Sequence, residues 1–266
     1  MPRTQQKQCK GTALLEKKTT LTYRCLKKCV KFIFPKYQVF GEENLPEGPC
    51  IIAGNHSQIN GPVACELYFP GKHATWTIGE MFHKETIPAY AFQDFWSLRP
   101  KSTHWFYKIL SHLIVPLSVC LFNNADTIPV YKDRKIEDTF RMSQDCLKER
   151  TRVIIFPEEY TEHNNIVHNF QRGFINIAKR HYSETGERVS FVPLYVCPKL
   201  KRLMIGKPIL YNPEANIREE KDRICNYLMD EITETAYSLP RHKVVPYPNV
   251  PPEEFGENVR MEKPVS

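Results

Sequence analysis

Short apolar runs of strand length recur along this chain, separated by stretches with helical spacing, and no other feature of the sequence narrows the possible folds as far. "YQVF" is followed by a turn around Glu43 to Gly48 and a second run at Cys50 to Ala53. Further runs lie at 74–78, 127–131, 153–156, 191–196 and 203–205. Runs this short and this apolar, bounded by turn residues, read as strands covered on both faces. Between them, 136–148, 173–182 and 217–237 carry apolar residues at helical spacing, and the aromatic-rich stretch 92–122 is expected to be helical too. Strand and helix in alternation predict an α/β fold, a mixed sheet flanked by helices. At 266 residues the chain can close one such domain with a full core. With no internal repeat and no Gly/Ser linker to divide it, the expected organisation is a basic amphipathic segment at 1–37, an α/β domain at 38–240 and a Pro-rich tail at 241–266. Six prolines from Pro240 onward predict a tail that is extended or disordered.

Charge is distributed unevenly. Residues 1–36 hold ten Lys/Arg against Glu16 alone, a local balance of +9 where the whole chain carries +7, so the remainder is close to neutral. On a helical wheel Tyr23, Leu26, Val30, Ile33 and Phe34 fall together, beside an arc of Arg24, Lys27, Lys28 and Lys31. Adjacent apolar and basic arcs predict either an interfacial helix on an anionic membrane surface or a helix packing its stripe on the domain. Nucleic acid is not an expected partner, because the basic end comes with no basic-aromatic binding module. The stretch 105–122 is mostly apolar but is interrupted by Lys108, His112 and Pro116, so it is a poor spanning helix, better suited to core or to a surface dipping into lipid. The N-terminus lacks the regions of a signal peptide. Nine scattered cysteines with no C-x-x-C pair read as reduced thiols, with no disulfide frame and no metal site. The expected location is cytoplasmic, peripheral on the inner face of a membrane.

The polar punctuation between the elements runs "NHSQINGP", "TIPVYKDR", "IIFPEEYT", "NFQRGFINIA" and "FVPLYV". In this order, over roughly 38–210, the blocks resemble those of the phospholipid/glycerol acyltransferase family, which includes the lysophosphatidic acid acyltransferases. That family's first block is H-x4-D, its second ends in arginine, its third is F-P-E-G-T-R and its fourth is a V-P pair. The resemblance implies transfer of a fatty acyl group from a thioester of CoA or acyl carrier protein to a hydroxyl of a lysophospholipid, glycerol-phosphate or related lipid acceptor, with no bound cofactor. It makes His56 the general base, since an imidazole titrating near neutrality can take a proton from the acceptor and return it to the leaving thiol. Glu158 of the third block joins it in the catalytic set. Asn60, Lys132, Arg134, Arg172 and Gly173 fall at or beside the substrate-binding positions, the cations being expected to receive an anionic or polar headgroup.

This sequence departs from the family pattern in two blocks. Gly61 stands where the family has the aspartate that orients the imidazole, leaving Asn60, Glu80, Glu158 and Glu159 as candidate substitutes. In the third block Glu159, Tyr160 and Thr161 replace G-T-R, removing one cation. The same departures allow a second expectation, a catalytically impaired lipid-binding or scaffold protein on the same fold.

Overall fold

The computed structural model of the chain describes residues 21–97, 99–131 and 134–260. In chain order these form α1 (Leu21–Ile33), β1 (Gln38–Phe40), β2 (Cys50–Gly54), α2 (Asn60–Tyr68), β3 (His73–Ile78), α3 (Ile87–Ala91), α4 (His104–Leu113), α5 (Val115–Asn124) and β4 (Thr127–Val130). Then follow α6 (Ile136–Lys148), β5 (Arg152–Ile155), β6 (Glu158–Glu162), β7 (His168–Phe170), α7 (Asn176–Thr185), β8 (Ser190–Cys197), β9 (Arg202–Ile205), β10 (Ile209–Leu210) and α8 (Ile217–Ser238). One eight-stranded sheet runs β1-β9-β8-β2-β5-β3-β4, with β10 paired to β8, while β6 and β7 form a separate hairpin. β2 is parallel to both β5 and β8, and β3 is parallel to both β5 and β4. β8 takes antiparallel partners in β9 and β10. The architecture is the mixed sheet flanked by helices that the alternation of runs predicts.

Burial explains why these runs become central strands. All five residues of β2 are buried. Its side chains alternate, Ile51 and Ala53 entering one core and Cys50 and Ile52 the other. On the first face lie Ile224, Leu228 and Ile232 of α8, spaced four apart so that they share one stripe. On the second face lie Ala64 and Cys65 of α2 with Tyr37 and Phe69. Each fully buried aliphatic side chain contributes roughly 1.5–3 kcal/mol, so a polar substitution at Ile52 would remove one such contribution and leave an unpaired group between the sheet and α2.

The apolar arc of α1 is used largely against the domain. Tyr23 is buried, its Oη donating to Glu66 Oε1 of α2 at 2.7 Å, and Lys27 Nζ reaches the same oxygen at 2.6 Å. Phe34 stacks on Tyr37, ring centroids 5.6 Å apart. Leu21, Phe32 and Ile33 remain exposed. A larger apolar surface lies on α4 and α5, where Trp105 is 66% and Leu113 68% exposed, with Phe106, Ile109 and Leu117 beside them. Among the described residues no single helix is long and apolar enough to cross a membrane; residues 101–113 and 115–124 form an apolar pair bent by 46°.

After α8 the chain runs extended but does not leave the domain. The His242 N–H donates to Asn258 Oδ1 at 2.7 Å, and Asn258 Nδ2 donates to the Ala236 carbonyl at 2.8 Å. His242 Nε2 and Tyr195 Oη of β8 are 2.8 Å apart. The Pro-rich segment is thus tied down at two points, and its middle crosses the sheet edge described next.

Candidate active site

Parallel strands leave a sheet by the same edge, so the loop after β2 and the loop after β5 emerge side by side, Ala53 being in register with Ile155. One loop carries Asn55, His56 and Ser57; the other carries Phe156, Pro157 and Glu158. β8 flanks β2 on the other side, Val192 and Pro193 facing Ile52 and Ala53. The first, third and fourth sequence blocks therefore converge because their strands are neighbours.

Glu158 is 3% exposed, and both its oxygens are engaged by backbone. Oε2 accepts from the His56 N–H at 2.5 Å and Oε1 from the His168 N–H at 3.0 Å. This carboxyl therefore fixes the main chain that carries the histidine. Burial pushes its pKa up to about 7, although the two N–H donors pull the other way. Asn55 secures the loop from the opposite side, accepting from the Val196 N–H at 2.7 Å and donating to the Val196 carbonyl at 3.1 Å and to Ser57 Oγ at 2.8 Å.

The two residues after His56 are strained. Ser57 has φ 48° and Gln58 φ 55°, left-handed values that cost a side-chain-bearing residue about 1 kcal/mol or more each. Distant segments hold the turn in place. Ser57 Oγ faces the carbonyls of Val196 and Val245, each at 3.3 Å, and Gln58 Nε2 donates to the carbonyls of Pro248 and Val250 at 3.1 and 3.3 Å.

The imidazole itself sits between aromatic rings. Phe156 meets it edge-on with centroids 5.3 Å apart, and Tyr247 does so at 5.7 Å. Nδ1 is buried without a hydrogen-bond partner. Burial draws the pKa down to about 4, and a hydrogen bond with the Gln58 backbone pulls the other way. His56 is accordingly neutral at pH 7. Asn60 does not orient it: its Nδ2 donates to the Ser57 carbonyl at 3.0 Å. Nor does Gly61 leave room for a carboxylate. A Cβ there would lie 2.5 Å from the His56 carbonyl oxygen and 2.9 Å from Phe156 Cε1.

The remaining sequence-derived candidates lie elsewhere. Arg172 pairs with Asp222 of α8 at 2.6 Å. Gly173 is exposed, and a Cβ there would meet nothing within 4 Å, so close backbone approach is not what it provides. Arg134 is exposed beyond the end of β4, and Lys132 lies outside the described residues. β4 is separated from β2 by β5 and β3, and three strand spacings amount to about 14 Å.

Three residues that the sequence reading passed over complete the site. His168 lies close to the buried carboxyl, its Nδ1 3.8 Å from Glu158 Oε1, and burial lowers its pKa. Tyr247 packs on His56, on His168 at 5.9 Å and on Tyr160 at 5.2 Å. Asn55 braces the loop. The "NH" step was visible for Asn55, whereas nothing local marks Tyr247, which comes from beyond α8. Among the described residues no group of three or more His, Cys, Asp or Glu is placed to hold a metal ion.

No protein-family model matches the sequence, and no curated protein matches it. Among solved structures, that of the 1-acyl-sn-glycerophosphate (LPA) acyltransferase PlsC from Thermotoga maritima is similar at 16% identity and a TM-score of 0.42, over 77% of this chain and 75% of that chain.

Proposed function

We propose that the chain is an acyltransferase, moving a fatty acyl group from a thioester of CoA or acyl carrier protein to the hydroxyl of a lipid acceptor. The observation that carries this reading is the neutral, half-buried His56 at the end of a central parallel strand, its backbone gripped by Glu158 and its turn held in a strained conformation. The order of the sequence blocks supports it. In the reaction the acceptor oxygen bonds to the thioester carbonyl carbon as its proton passes to His56. The C–S bond then breaks and the proton goes to the departing thiolate, giving ester and free thiol. An imidazolium here is disfavoured by about 3 kcal/mol relative to an ordinary histidine, from the drop in pKa from 6.5 to about 4. The negative charge that develops on the tetrahedral intermediate offsets part of that cost, because the two charges form together in a water-poor site. The acceptor is reached from a membrane surface, the apolar face of α4 and α5 entering the lipid.

One observation favours a second reading, a lipid-binding protein without catalysis: Nδ1 has no partner, and Gly61 leaves no space for one. Thiol release from acyl-CoA, measured with lysolipids and simple lipid alcohols as acceptors, separates the two. The acyltransferase reading expects turnover that His56→Ala lowers by about 10²–10⁴-fold. No thiol release by the wild type, with His56→Ala indistinguishable from it, would establish the second reading instead.

A further inference from the structure

We infer that Tyr247 is the positioning residue of His56, holding the imidazole in one orientation by ring packing; the inference rests on the acyl-transfer reading and adds to it what aims the base. Among the described residues no side chain orients the ring by a hydrogen bond. Nδ1 is buried without a partner, the Asn60 amide donates to the Ser57 carbonyl, and position 61 has no room for a side chain. Two aromatic rings contact the imidazole instead, Phe156 at an interplanar angle of 71° and Tyr247 at 78°. A turn about χ1 or χ2 has to displace one of them in a close-packed site. Phe156 is itself seated on two glycines, its Cε1 lying 3.3 Å from where a Cβ of residue 54 would stand and 2.9 Å from that of residue 61. Tyr247 is the wall that comes from far along the chain.

It arrives on a strap closed at its base. The Val244 N–H donates to the Gly256 carbonyl at 2.9 Å and the Asn258 N–H to the His242 carbonyl at 3.2 Å, so residues 244–256 leave and rejoin the domain at one place. Pro246 and Pro248 flank the tyrosine. Each locks its own φ and keeps the residue before it extended, which stiffens the arm. The loop after β2 holds the tip: Gln58 Nε2 donates to the carbonyls of Pro248 and Val250 at 3.1 and 3.3 Å, and Ser57 Oγ lies 3.3 Å from the Val245 carbonyl. Asn249 Nδ2 ties the same tip to the Asp94 carbonyl at 3.0 Å. The left-handed backbone of Gln58, φ 55°, thus places its amide under the strap that carries Tyr247 onto His56. Tyr160 and His168 set the angle of the Tyr247 ring from its other contacts, at 5.2 and 5.9 Å. An imidazole free to sample three χ1 wells and two χ2 wells has about six orientations. Packing that selects one is worth about sixfold in rate, and a base misplaced by about 1 Å loses up to about 10²-fold.

The test uses the full-length protein, acyl-CoA and the lysolipid or lipid alcohol that the wild type acylates fastest. Tyr247→Ala should lower kcat by between about 5- and 100-fold, and Tyr247→Phe, which keeps the ring, should restore it to within about twofold. Gln58→Asn tolerates the left-handed backbone but withdraws the amide from the strap, so it should lower kcat as well. Because Gln58 acts through Tyr247, the double variant should be no slower than Tyr247→Ala alone. In labelled protein, the three-bond couplings from the His56 backbone to Cγ should report one χ1 rotamer in the wild type and averaging in Tyr247→Ala and Gln58→Asn, a change that lowered stability alone does not produce. Additive losses in the double variant, equal losses in Tyr247→Phe and Tyr247→Ala, or a single rotamer kept in both loosened variants would each overturn the inference and leave acyl transfer standing. If Tyr247→Ala does not fold, Gln58→Asn decides by itself: unchanged kcat and couplings overturn the inference. If the wild type releases no thiol, acyl transfer is overturned, and the couplings alone decide whether Tyr247 positions the ring.

Discussion

At position 61 even a methyl group is too large. Gly61→Ala would put Cβ 2.5 Å from a backbone oxygen that cannot rotate away, so it should lower stability by about 1–3 kcal/mol, read as a lower urea midpoint at unchanged m. Gly61→Asp should be worse and should not raise turnover. A stable, faster Asp variant would show that the loop has an alternative conformation. The two ionisable groups of the loop pair make opposite contributions. His56, lowered from 6.5 to about 4, adds stability that is full above pH 6.5 and is lost as pH falls through 4. Glu158, raised from 4.5 to about 7, adds stability that is full below pH 4.5 and is lost as pH rises through 7. Each window is worth about 3 kcal/mol. Relative to wild type, His56→Ala should therefore gain stability as pH falls from 7 to 4, and Glu158→Gln as pH rises from 4.5 to 8. Denaturant titrations at five or six pH values would measure both, and parallel curves for all three proteins would contradict the burial argument.

Among the elements, α1 and the α4–α5 pair share the expected membrane role unequally. α1 spends Tyr23 and Lys27 on Glu66 and Phe34 on Tyr37. The α4–α5 pair leaves five large apolar side chains exposed, Trp105, Phe106, Ile109, Leu113 and Leu117, each worth roughly 1.5–3 kcal/mol if buried in lipid. Trp105→Glu and Leu113→Glu should each weaken vesicle co-sedimentation by about tenfold or more. Phe32→Glu should weaken it less. Equal partition of all three variants and wild type would show that this face does not meet lipid.

Across the whole molecule, the segment beyond α8 returns to the edge where β2 and β5 end and places Tyr247 on His56. Removing that ring admits water, so Tyr247→Ala should raise the His56 pKa from about 4 toward 6.5 and speed its modification by diethyl pyrocarbonate. An unchanged histidine titration, followed by NMR, would show that Tyr247 does not shield the ring. Neither contact was legible beforehand, since six prolines read only as an extended or disordered stretch. Local pattern did determine the central strands and long helices: α6 matches its expected span, and β2, β5 and β8 differ from theirs by a residue or two at the ends. Apolar spacing acts over a few residues and needs no partner to be read. The order of the polar blocks likewise placed His56 and Glu158 at strand ends. The hairpin of β6 and β7 escaped, because "EEYTE" offers no apolar alternation and its strand character comes only from pairing with Phe170 and His168. What Glu158 does was also undetermined, for a carboxylate three residues past a strand can face ring, backbone or solvent equally well. Strand order decided it by setting β5 beside β2. The same order placed the end of β4 three strands from His56, and α8 brought Asp222 to Arg172 across 50 residues of sequence. Contacts at that separation depend on which surfaces the core brings together, and no local window of sequence encodes that.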